Sequence, residues 1–157
     1  MTRIPCHLRK FIRQRFFPFA PFIIKATRLF GVTEALVDTG SPFTVLSTRD
    51  ALKLKLPIRS MQRGEAVSLA GYRFFNHQLD NVSMTFRTED AKPLKIDFPK
   101  IGVLFPTKIS REALDTVKDI PSIIGNDFLE DYGFALYFNP TAKVAYLEQR
   151  KISLLPE

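Results

Sequence analysis

The stretch "ALVDTGSPFTVLS", residues 35–47, decides how this chain is read. Leu36 and Val37 run straight into Asp38, Thr39-Gly40-Ser41 follow, and a second apolar run begins at once. An ionised carboxylate against an apolar strand end is costly unless it is paired or hydrogen-bonded. Gly40 permits a tight turn that leaves its N–H free to face the carboxylate, and Ser41 can add a hydroxyl. Thr39 can donate and accept across an interface. The stretch is therefore a cradle for one acid. It also fits a plainer role, an Asp-capped Thr-Gly turn at a strand end.

Outward from this loop the pattern is that of short strands. "PFIIKATRLFG" reads as one strand ending at Gly31, "VTEALVDTG" as a second and "PFTVLS" as a third. "STRDALKLKL" changes period, with Ser47 or Thr48 as cap and Asp50 in the first turn, and predicts a short helix stopped by Pro57. "EAVSLAGYRFF" gives two strand pieces around Gly71. In "DNVSMTFRTE", Val82, Met84 and Phe86 alternate with Ser83, Thr85 and Arg87. "LKIDF" and "KIGVLF" are further strands beyond an "EDAKP" turn. "SREALDTVKD" predicts a helix capped by Ser110, and "NDFLEDYG" a helical turn ended by Gly133. "FALYFNPTAKVAYLE" reads as a hairpin turning at Asn139-Pro140. The sum is an all-β chain with two or three short helices, predicting a small closed β-barrel or orthogonal sandwich.

Composition narrows the functional classes. A length of 157 residues suits one domain with a real core. One cysteine, Cys6, excludes an internal disulfide and fits a reducing, cytoplasmic compartment. With two histidines and one cysteine, a structural zinc site would have to be filled by carboxylates, so no metal and no cofactor is expected. His77, the one histidine within residues 19–157, is read as a surface residue. Neither a G-x-S-x-G elbow nor a Gly-rich phosphate loop occurs.

The charge is unevenly placed. Residues 1–28 hold seven Lys and Arg and no acid, which equals the whole net charge of +7; elsewhere cations and acids balance. Residues 1–18 are read as a basic, Phe-rich extension and residues 19–157 as the domain. Leu8, Phe11, Ile12 and Phe16 stand at helical spacing between Pro5 and Pro18, predicting a short amphipathic helix for a membrane surface or another subunit. "FFPFAPFII" is short of the roughly 20 residues of a membrane span and holds two prolines.

Two motifs together carry a resemblance. "ALVDTGSPFTVLS" resembles the active-site loop of aspartic proteases, and "PSIIGNDFLEDYGFALYFNPTAKVAYL" is similar to the apolar-apolar-Gly segment, helix and final hairpin of that superfamily. The likeness runs from about Pro21 to Leu147. Pepsin-like enzymes carry two such lobes; one Asp-Thr-Gly and one lobe's length point to the retropepsin-like group, in which two identical chains each supply an aspartate. A single Asp beside a two-fold axis necessarily meets its copy. The resemblance implies an acid-protease fold, a homodimer, a polypeptide substrate, no cofactor and no nucleic-acid partner.

It also implies roles. Asp38 is the catalytic residue. Thr39 grips across the dimer, Gly40 gives the turn, and Ser41 bonds the outer carboxylate oxygen. Ile123, Ile124 and Gly125 support the loop from below. Ala70, Gly71 and Tyr72, at the tip of "VSLAGYRFF", are the candidate flap. Retropepsin-like chains often place Arg after the second motif's glycine, where this chain has Asn126. Terminal strands often build the dimer interface in the group, which raises the question for "KISLLPE". Two alternatives stand beside the endopeptidase: a catalytically silent protease-like module for dimerisation or peptide binding, and a basic nucleic-acid or membrane-surface binder in which Asp38 is structural.

Overall fold

The computed structural model describes residues 1–150; "KISLLPE" lies outside them. The strands are β1 (Thr2–Pro5), β2 (His7–Lys10), β3 (Phe16–Ala26), β4 (Leu29–Val37), β5 (Val45–Leu46), β6 (Gln62–Leu69), β7 (Tyr72–Arg87), β8 (Pro93–Pro106), β9 (Ser122–Ile124), β10 (Phe134–Asn139) and β11 (Val144–Gln149). Three short α-helices interrupt them: α1 (Thr48–Lys53), α2 (Arg111–Val117) and α3 (Asn126–Tyr132). Each helix sits where a local signal stops the strand pattern. The Ser47 hydroxyl accepts from Asp50 N–H at the start of α1, and the Ser110 hydroxyl accepts from Ala113 N–H at the start of α2. Gly133 ends α3 in the left-handed region, at φ 67°, where a Cβ would be strained.

The larger sheet has the order β2-β3-β4-β9-β5-β8-β7-β6, and β3 pairs again with β7. That second pairing, Ile23–Thr85 to Lys25–Ser83, returns the sheet onto itself and encloses the core. A smaller sheet, β1-β11-β10, lies against it. Along β7, Val82, Met84 and Phe86 are buried as expected and Arg87 is exposed, but Ser83 is buried too and Thr85 half-buried where β3 pairs with them. Phe86 and Phe128 are fully buried, with Phe128 stacked on Phe98 and Phe134 at ring distances of 6.0 and 5.1 Å. A second cluster, Val45, Phe74, Leu104, Val117 and Ile123, fills the space beneath the β6–β7 hairpin.

Three expectations are corrected. The helix predicted over residues 8–16 is instead the hairpin β2–β3, with Lys10 opposite Phe16 and Arg13 and Gln14 left-handed in its turn. Ile4, in β1, is 1% exposed and belongs to the core. "PFIIKATRLFG" is not one strand but the end of β3, a turn at Thr27-Arg28 and the start of β4. His77 is not at the surface: it is 8% exposed, with its ring edge-on to Phe105.

Candidate active site

Asp38 stands at the end of β4, and its placement begins with β9. Residues 35–37 of β4 run parallel to 122–124 of β9, and Val45 of β5 pairs antiparallel to Ile123 on the other side. The chain thus climbs β4, crosses over the end of β9 as the Asp38 loop, and descends as β5. Ile124 is fully buried and Ile123 nearly so, which fixes the strand that the loop straddles.

The loop itself is held by its own hydrogen bonds. Asp38 N–H donates to Ile124 O at 3.0 Å and Ser41 N–H to Asp38 O at 3.1 Å. Gly40 N–H donates to Asp38 Oδ1 at 2.9 Å. That backbone N–H fixes the orientation of the carboxylate. Asp38 is half-buried, whereas Thr39 and Gly40 are exposed. The Ser41 hydroxyl corrects the expected pattern: it donates to Phe43 O at 2.9 Å and so braces the loop's outgoing limb instead of the carboxylate.

From beneath, the turn after β9 grips the loop. Asn126 N–H donates to Ser41 O at 2.8 Å, and Asp127 N–H to Pro42 O at 3.3 Å. Gly125 N–H donates to Thr44 Oγ1 at 3.1 Å. A Cβ on Gly125 would lie 2.5 Å from Phe43 O and 2.7 Å from Ser41 O, so only glycine allows this approach. Asn126 acts here through its backbone N–H.

Two supporting residues escape a sequence reading. Thr44 N–H and Oγ1 donate to the two oxygens of Asp127, at 3.0 and 2.7 Å. Asp127 Oδ1 also accepts from Phe128 N–H at 2.7 Å. The only local signal was an acid in the first turn of α3. Behind the loop, the buried Asp50 accepts from Ser122 Oγ at 2.5 Å, and Ser122 Oγ accepts from Ser47 N–H at 2.9 Å. Asp50, read as a first-turn helix acid, is thus also a buried tie between α1 and β9.

The β6–β7 hairpin turns at Ala70-Gly71, with φ of 51° and 82°, the sign that a two-residue hairpin turn requires. Its Tyr72 is 42% exposed. Val67 and Leu69, next to the turn, pack on the cluster that holds Val45 and Ile123, so the tip end of the hairpin rests over that cluster. Between the hairpin and the Asp38 loop lies a cleft of about 360 Å³, walled by Phe43 and Thr44 on one side and Gly64, Glu65 and Val67 on the other. Asp38 does not line it, so the cleft flanks the carboxylate. Asn76 and His77 border the cleft with buried side-chain atoms that lack a protein partner, Oδ1 and Nδ1. Burial, and after it the Arg63 charge, push His77 below its usual range, against a hydrogen bond that the imidazole donates to the Met61 backbone carbonyl. Among the described residues, no group of three His, Cys, Asp or Glu side chains could hold a metal ion, and no helix is long and apolar enough to cross a membrane.

The fold is retropepsin-like. The chain is similar to the crystal structure of a retropepsin-like aspartic protease from Rickettsia conorii: 14% identity over 94% of this chain and 90% of that one, with a TM-score of 0.52. It is also similar to EIAV protease complexed with the inhibitor HBY-793, at 19% identity over 83% of this chain and all of that one, with a TM-score of 0.47. No family model and no curated protein matches the sequence.

Proposed function

We propose that the chain is one half of an aspartic endopeptidase, its active site completed by Asp38 of a second copy across a two-fold axis. The observation that carries this is the Asp38 carboxylate: oriented by Gly40 N–H, only half-buried, and borne on a loop tied down at Ile124, Gly125 and Asn126 in a retropepsin-like fold.

The chemistry follows from pairing. Two carboxylates a few ångströms apart do not both ionise readily, so the pair shares one proton. The ionised Asp38 takes a proton from water as the water oxygen bonds to the scissile carbonyl carbon. The protonated Asp38 of the other copy gives its proton to the carbonyl oxygen, which leaves a neutral tetrahedral diol. Collapse of the diol returns one hydroxyl proton to a carboxylate. The C–N bond breaks, and the departing nitrogen takes the other carboxyl proton. The pair ends with one shared proton, as it began. Thr39, exposed beside Asp38, grips its copy across the axis, and the hairpin tip at Ala70, Gly71 and Tyr72 closes over an extended polypeptide.

One observation favours a second role. The Ser41 hydroxyl is spent on Phe43 O and not on the carboxylate, as suits a silent dimerisation or peptide-binding module. Incubating an unfolded polypeptide with wild type and with Asp38→Asn, each sized by sedimentation, separates the two. The endopeptidase requires cleavage that Asp38→Asn abolishes without loss of the dimer. A wild-type dimer that never cleaves supports the silent module.

A further inference from the structure

We infer that the turn of the β2–β3 hairpin is a docking tip for an anionic lipid bilayer. The turn is closed by Phe11 N–H to Arg15 O at 3.0 Å and Arg15 N–H to Ile12 O at 3.1 Å. Ile12 is 57% exposed, and Lys10, Arg13 and Arg15 around it are exposed as well. The β10–β11 turn brings a fourth cation to the same end. Lys143 Nζ lies 5.9 Å from the Phe16 ring centre, and Lys10 Nζ lies 5.7 Å from it. No acid occurs in residues 1–28 or 132–147, the two segments that carry these four cations. The nearest cation on β2, Arg9, is already paired with Glu34. The tip therefore offers four cations that have no ion-pair partner among the described residues, around one exposed aliphatic side chain.

Charge and side-chain type select the partner. A second copy would present the same cations, and two such tips repel one another. Nucleic acid fits the charge, but sequence-tolerant single-strand binding rests on exposed aromatic faces. Here Phe11, Phe16 and Phe17 are half-buried: Phe11 packs edge-on to Phe17 and Phe19, and Phe16 lies under the two lysines. An aliphatic apex ringed by Lys and Arg is the combination that an anionic bilayer surface takes, with the cations at the headgroups and the apex in the acyl boundary.

The chain has no tryptophan, so Ile12→Trp in the full-length protein supplies a single reporter at the apex. Titrated with phosphatidylserine-containing vesicles, its emission is expected to shift to the blue and to return at high salt. Pure phosphatidylcholine vesicles should leave it unchanged. Vesicle co-sedimentation of the otherwise wild-type chain should fall about fivefold for each of Arg13→Ala and Arg15→Ala. It should fall further for Ile12→Ser, with unchanged circular dichroism in each variant. Absence of partitioning into anionic vesicles at low salt overturns the inference, as does partitioning insensitive to Ile12. Tighter binding to a single-stranded oligonucleotide than to the vesicles would reassign the tip to nucleic acid. None of these outcomes depends on Asp38 being catalytic.

Discussion

Thr44 and Asp127 are fastened to each other twice: Thr44 N–H donates to Asp127 Oδ2 at 3.0 Å, and Thr44 Oγ1 to Asp127 Oδ1 at 2.7 Å. The pair spans 83 residues and locks the outgoing limb of the Asp38 loop to the start of α3. The same Thr44 oxygen accepts from Gly125 N–H, so the loop limb is tied twice over to the turn that leads from β9 into α3.

Asp127→Ala strands Thr44 N–H, the Thr44 hydroxyl and Phe128 N–H together. Losing a part-buried acceptor of this kind costs about 1–3 kcal/mol. Denaturant unfolding should show that loss. A double-mutant cycle with Thr44→Val should then give less than the sum of the single changes, since both remove the same contact. Additive effects would mean that the two residues act separately.

Gly125→Ala tests the close approach beneath the loop. The new Cβ meets two backbone carbonyls, those of Phe43 and Ser41, and neither can rotate away. The expected cost is about 1–3 kcal/mol of stability. Any peptide cleavage should drop with it, because the displaced limb carries the Asp38 turn. Wild-type unfolding midpoints for this variant would show that the loop yields freely.

Phe128→Ala should be the most damaging of the core changes. The ring is fully buried between Phe86, Phe98 and Phe134. Removing it should cost about 3–5 kcal/mol in denaturant unfolding. The loss should reach the site, because Phe128 N–H and the Thr44 clamp share Asp127.

His77 sets a pH dependence with a definite sign. Burial, followed by the Arg63 charge, disfavours its protonated form in the fold, so its folded pKa lies below the usual 6.5. Below that usual value the unfolded chain binds a proton that the folded chain refuses, and stability falls as pH falls. Above it the contribution is fully present. Unfolding midpoints measured from neutral pH downward should show the decline, and His77→Gln should flatten that part of the profile. An unchanged slope in the variant would place the acid sensitivity elsewhere.

Much of this was legible because its causes are local. The turn at Asp38-Thr39-Gly40, the Ser47 and Ser110 caps, the alternation of Val82, Met84 and Phe86, and the Gly133 stop each depend on neighbours in sequence. The β2–β3 hairpin was not. Leu8, Phe11, Ile12 and Phe16 are spaced for a helix, but the segment folds as a hairpin because β2 pairs with β3, and β3 is held extended by β4 and by β7, about 60 residues on. His77 follows the same rule, since it is buried by Phe105 of β8. Thr44 and Asp127 gave no joint signal, for nothing in sequence links a threonine after a turn to an acid 83 residues on.

The most direct test of the central claim is sedimentation equilibrium run alongside cleavage of an unfolded polypeptide, for wild type and Asp38→Asn. The proposal predicts a dimer for both proteins and cleavage by wild type alone. Cleavage that survives in Asp38→Asn, or a wild-type chain that cleaves as a monomer, would contradict a site built from one Asp38 of each copy.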